Sequence, residues 1–175
     1  MENIRRLYNQ YWPFVKEPVV IAFTAVICLL LAQWFRLPQG YWAVMSSIIV
    51  MQSNVQETIS ASLIRLVGTA IGAVIGGIFL QLYGVHVWVF GIAVLIVVLI
   101  CIFLNLKQSY RLAAVTVAII VLVNHTESPW MTAFHRFLEV SLGVVVALLI
   151  SLLMNPSYSY VIFQNWISRL RSKHL

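Results

Sequence analysis

Leu63-Ile64-Arg65-Leu66-Val67-Gly68-Thr69-Ala70-Ile71-Gly72-Ala73-Val74-Ile75-Gly76-Gly77-Ile78-Phe79-Leu80-Gln81-Leu82 is an apolar run interrupted by one charge. A helix needs about 20 mainly apolar residues to cross the ~30 Å hydrocarbon core of a bilayer. The run therefore reads as a membrane helix with a cation inside it. Gly68, Gly72 and Gly76 recur at every fourth position, so they share one helix face. Such a small-residue stripe lets another helix approach closely. It serves either packing within the chain or an interface between two copies. It is no phosphate-binding glycine fingerprint, because no strand precedes it.

The rest of the 175-residue chain has the same character. It is 62% hydrophobic and 9% charged, whereas an ordinary soluble domain is about a quarter charged. This chain lacks the charge to cover a water-facing surface and reads as an all-α integral membrane protein. Six apolar segments can be marked, at residues 19–35, 41–52, 63–82, 85–104, 112–123 and 134–154. The second and fifth are short and run into polar patches. These are Gln52-Ser53-Asn54-Val55-Gln56-Glu57-Thr58 and Asn124-His125-Thr126-Glu127-Ser128-Pro129.

The two patches occupy matching places in a weak repeat. Arg65 precedes Gly72 by seven positions, as Arg136 precedes Gly143. Asn54 and Glu57 correspond to Asn124 and Glu127, and Tyr41 to Tyr110. Three spans per copy means that the second copy crosses the membrane in the opposite sense. An inverted repeat of this kind is common in transporters. The halves are residues 18–84 and 85–156.

The formal net charge is +6. Its placement gives an orientation. With the N-terminus in the cytoplasm, the inner side receives Arg5, Arg6, Lys16, Lys107, Arg111, Arg169, Arg171 and Lys173. The outer side keeps Arg36 and Arg136. This Lys/Arg bias predicts that both termini are cytoplasmic, in a cell inner membrane. Nucleic acid is not the expected partner, since the basic residues flank spans and contact anionic lipid there. The N-terminus lacks the pattern of a cleaved signal peptide. Residues 1–17 and 157–175 place Leu, Ile and aromatic residues at helical spacing beside Arg and Lys, and read as amphipathic helices on the membrane surface. Pro13 and Pro156 are expected to separate them from the spans.

Arg65 and Arg136 are the leading functional candidates. A cation at the centre of a lipid-facing helix costs at least ~2.5–3.5 kcal/mol, so each is expected to face protein or water. A guanidinium offers a planar fork that matches a carboxylate. Two readings stand side by side: anion contact, or structural pairing, with Glu139 three residues beyond Arg136 as one partner. His135 and Glu139 share a helix face and are candidates for proton coupling. No third ligand accompanies them at metal-site spacing, so neither a metal nor another cofactor is expected. Cys28 and Cys101 sit in apolar runs and read as small hydrophobes. No Gly-x-Ser-x-Gly or His-Glu-x-x-His motif is present, and Ser46 and Ser47 have no evident base, so no enzyme activity is expected.

Tyr41-Trp42-Ala43-Val44-Met45-Ser46-Ser47-Ile48-Ile49-Val50-Met51-Gln52, followed by Arg65-Leu66-Val67-Gly68-Thr69-Ala70-Ile71-Gly72-Ala73, resembles the fusaric-acid-resistance and aromatic-acid-exporter superfamily. The likeness extends over residues 18–156, through Tyr110, Arg136, Gly143 and Asn155-Pro156. It implies a six-helix inner-membrane module that exports organic, especially aromatic, carboxylate anions. Arg65 matches the motif arginine and Arg136 its second-half counterpart. Larger members carry a long cytoplasmic domain and often two membrane modules. A lone module implies a homodimer, or a separate export subunit. The resulting expectation is that Arg65, Arg136, Trp42, Gln52, Ser53, Asn54, Asn124 and His125 contact the anion. A passive anion channel and a non-transporting membrane subunit are the rival readings.

Overall fold

A computed structural model describes residues 2–122 and 128–154, with side chains described from residue 17 onward. The regular structure among the described residues is helical: α1 (Glu2–Trp34), α2 (Tyr41–Val50), α3 (Val55–Tyr83), α4 (Val87–Phe103), α5 (Tyr110–Leu122) and α6 (Pro129–Met154). The apolar part of α1 (Glu17–Trp34), α3 and α6 are long and apolar enough to cross a membrane. The chain is thus an all-helical membrane protein. At 1.5 Å per residue, the 10-residue α2 and 13-residue α5 are too short to do so as helices alone.

Helix ends follow local chemistry. After α1, Leu37 N–H donates to Ala32 O and Arg36 N–H to Gln33 O, with Arg36 at φ 52°. After α4, Leu106 N–H donates to Cys101 O and Asn105 N–H to Ile102 O, with Asn105 at φ 58°. Both are Schellman endings, in which a left-handed residue turns the chain and satisfies the last carbonyls. Pro38 then prevents continuation of the first.

Three boundaries differ from the sequence expectation. The third helix begins at Val55 rather than 63, because Asn54 caps it by accepting from Gln56 N–H at 3.0 Å. The sixth begins at Pro129 rather than 134, since a proline in the first turn lacks only an N–H that would have had no helical partner. The first helix runs through Pro13 without the expected break. Loss of one backbone bond is tolerated there. Pro156 and the tail 157–175 lie outside the described residues.

The packing exchanges elements between the halves. One core joins Cys28 and Ala32 of α1, Ala43 and Val50 of α2, and Val140, Val144 and Ala147 of α6. The other joins Ala93, Val97 and Cys101 of α4 with Ala113, Val117 and Val121 of α5, covered by Ile71, Ile75 and Phe79 of α3. Each half therefore lends its third helix to the other. The two cysteines belong to different cores and are free.

Glycine permits the closest crossings. A Cβ on Gly72 would lie 2.7 Å from Thr116 Cβ, and one on Gly143 would overlap the carbonyl oxygen of Ala43. Gly68 and Gly76 likewise face α5, at Ser109 and Ile120. The glycine stripe is thus used within the chain. The outward faces of α1 (Val19, Phe23, Val26, Leu30) and α4 (Trp88, Ile92, Leu95, Leu99) are exposed and apolar, as suits contact with lipid.

Candidate functional site

The first two turns of α2, with the turn before them, collect the polar side chains of α3 and α6. Arg136 is 3% exposed and Glu139 1%. Arg136 Nη1 donates to Glu139 Oε2 at 3.2 Å, an ion pair between residues three apart on α6. Arg136 Nη2 donates to Gln39 Oε1 at 2.7 Å. The guanidinium lies over the Trp42 ring, 4.3 Å from its centroid, a favourable position for a cation on an aromatic face. Gln39 is the hub. Its side-chain oxygen also accepts from Trp42 Nε1 at 3.2 Å and from the Tyr41 hydroxyl at 3.1 Å. Its backbone N–H donates to Glu139 Oε1 at 2.8 Å.

Arg65 is in a different position. It is 6% exposed, and Nη2 donates to Ser46 Oγ at 3.3 Å. Among the described residues it has no carboxylate partner. Its Nε lacks a hydrogen-bond partner, as do Arg136 Nε and Ser62 Oγ. Arg65 continues a buried polar stripe on α3: Thr58, Ser62, Arg65 and Thr69. Spacings of four, three and four put these on one helix face. Ser46 and Ser47 of α2 are fully buried as well, and the Ser47 hydroxyl donates to Val44 O at 2.8 Å. Arg65 reaches Ser46 on α2, four residues beyond Trp42, whose ring Arg136 covers.

The structure thus brings Arg65, Arg136, Trp42 and Glu139 into one neighbourhood, and separates them from the polar patch after α2. Gln52 is exposed, and its amide donates to Ile49 O at 3.4 Å. The Ser53 hydroxyl donates to Glu17 Oε1 at 2.7 Å. Asn54 is occupied as the α3 cap. Glu17 begins the apolar part of α1, so the patch lies level with the foot of that span. His135 is half-buried on α6. Asn124 and His125 lie outside the described residues. Among the described residues, no group of three or more His, Cys, Asp or Glu is placed to hold a metal ion.

Sequence reasoning missed Gln39, Ser46 and Ser62. A glutamine in a turn beside Pro38 and Gly40 gives no signal of burial. Ser62 gave a weak one, lying four residues from Thr58 and three from Arg65.

Residues 25–150 match the family described as Fusaric acid resistance protein-like. A UPF0421 protein of Oceanobacillus iheyensis is 25% identical over 81% of this chain and 39% of its own length. UPF0421 protein YgaE of Bacillus subtilis is 27% identical over 81% of this chain and 40% of its own. A Schizosaccharomyces pombe protein is 26% identical over 89% of this chain and 13% of its own. The chain spans about two fifths of the two bacterial relatives. No solved structure matches it. With the family pattern covering most of the helical region, and with three helices able to cross a bilayer, this chain is a membrane protein that belongs to the fusaric acid resistance protein-like family.

Proposed function

We propose that the chain exports organic carboxylate anions across the inner membrane, with both termini in the cytoplasm, as a homodimer or beside a separate export subunit. The observation that carries this reading is Arg65: a buried guanidinium with a hydroxyl for a partner and, among the described residues, no counter-ion. An uncompensated charge in low dielectric is costly, and an organic acid passing through supplies the missing negative charge when it binds. The family description names fusaric acid, itself an aromatic carboxylic acid, which makes an aromatic acid the first substrate to try. An inverted repeat suits the reading too. The matched Schellman turns at Arg36 and Asn105, and the matched crossings of Gly72 on α5 and Gly143 on α2, support such a repeat.

The test is efflux of labelled benzoate from proteoliposomes containing the purified chain. Arg65→Ala is expected to cut flux at least about tenfold, the scale of one lost hydrogen bond to a charged group. Arg65→Lys keeps the charge but not the fork, and is expected to fall between the two. Equal flux in all three, from folded and correctly inserted protein, would overturn the proposal. Voltage-clamped currents from the same preparation distinguish a channel from a carrier.

A further inference from the structure

Four facts about the buried polar groups combine. Ser62 Oγ and Arg65 Nε have no hydrogen-bond partner, and their residues are 1% and 6% exposed. They lie three residues apart on α3, which makes them neighbours on one face. Arg136 already has Glu139, Gln39 and the Trp42 ring. Finally, the buried charges among the described residues are Arg65, Arg136 and Glu139, while Glu17, Arg36, Glu57, Lys107 and Arg111 are exposed. The buried set therefore carries one uncompensated positive charge.

We infer that Ser62 and Arg65 form the seat for the substrate carboxylate, and that Glu139, by neutralising Arg136, sets the capacity of that seat at one negative charge. The inference deepens the transport reading above and rests on it. The seat offers the Arg65 Nε–H and the Ser62 hydroxyl to one carboxylate, with Ser46 accepting from Nη2 and holding the guanidinium against α2. A second carboxylate on the same substrate would meet Glu139 and find no free cation. The favoured substrate class is monocarboxylate. Arg136 is a positioning group, holding α6 to the start of α2 through Gln39 and Trp42.

The experiment compares labelled benzoate with labelled phthalate, which has one carboxylate more on the same ring, in proteoliposomes of the intact chain. Wild type is expected to move benzoate in clear preference. Ser62→Ala is expected to raise the KM for benzoate about tenfold, through loss of a hydrogen bond to a charged group. Glu139→Gln retains an oxygen to accept from Gln39 N–H and raises the buried charge by one. It is expected to shift the phthalate-to-benzoate flux ratio about tenfold toward phthalate, the scale of one nearby charge at intermediate dielectric. Glu139→Asp keeps the charge and is expected to keep the wild-type ratio. An unchanged KM in Ser62→Ala overturns the seat. Equal wild-type transport of both acids, or a ratio unmoved by Glu139→Gln in folded protein, overturns the charge rule and leaves the transport reading standing. Silence of wild type toward both acids overturns the transport reading, and the seat with it.

Discussion

Buried arginine in a membrane protein survives on what the protein gives it. Arg136 receives a carboxylate, an amide oxygen and an aromatic face, while Arg65 receives one serine hydroxyl. The sequence showed part of this contrast, since Glu139 stands three residues beyond Arg136, but both arginines lie seven residues before a glycine in apolar runs and nothing pointed to Gln39. A charge within a hydrophobic run is conspicuous, so both positions could be picked out. Their difference depends on Gln39 and Glu139, a hundred positions apart and joined only by the crossing of α6 over the start of α2. The same crossing makes Gly143 the most constrained glycine for substitution. Gly143→Ala would drive a methyl into the Ala43 carbonyl and within 3.0 Å of Ser46 Cβ, whereas nothing lies within 4 Å of a Cβ on Gly91. Gly143→Ala is expected to destabilise the protein by about 1–3 kcal/mol through overpacking. Gly91→Ala, in the interior of α4, is expected to stabilise it by about 0.5–1 kcal/mol. Thermal unfolding in a fixed detergent reads both, and equal melting temperatures would refute the close crossing.

At the scale of one helix, α3 shows what hydropathy reads well and what it reads poorly. The apolar body from 63 to 82 was plain in the sequence. Its first two turns were not, because Gln56, Glu57, Thr58, Ser60 and Ser62 look like loop. They are helical because Asn54 supplies the cap and Glu57 lies in the first turn, where a negative charge suits the helix dipole. Thr58 fastens the start: its hydroxyl oxygen accepts from Gln52 N–H at 3.1 Å. The cap gives Asn54 a structural role in this conformation, alongside the sequence expectation of substrate contact. Asn54→Ala is expected to cost about 1 kcal/mol of stability, and Asn54→Ser or Asn54→Asp to recover most of it. A lower melting temperature restored by either capping residue supports the structural role. A loss of benzoate flux at unchanged stability, not restored by Asp, would return Asn54 to the substrate path.

Across the whole molecule, the six apolar segments are legible in sequence but their packing partners are not. A repeat of matching residues says nothing about which copy each helix packs against. Here α3 covers the α4–α5 core and α6 covers the α1–α2 core, while α3 and α6 also meet each other at Ala73, Leu80 and Ala133. The physical reason is in the small residues. Gly72 lets α3 lie on α5, and Gly143 lets α6 lie on α2. Residues 1–84 by themselves would leave α2 without the Val140, Val144 and Ala147 surface, and would uncover the α3 face that meets α5. Residues 85–175 by themselves would leave Arg136 and Glu139 without Gln39 and Trp42, two buried charges deprived of the groups that order them. Splitting the chain at the turn around Gly84, between α3 and α4, should therefore give two fragments that accumulate poorly when expressed singly. Co-expressed, they should assemble into a complex that co-purifies and melts near the intact chain. Antiparallel or parallel three-helix units able to stand alone would behave otherwise: each fragment would be monodisperse and helical without its mate, and the mutual loan of α3 and α6 would then contribute little to what holds the molecule together.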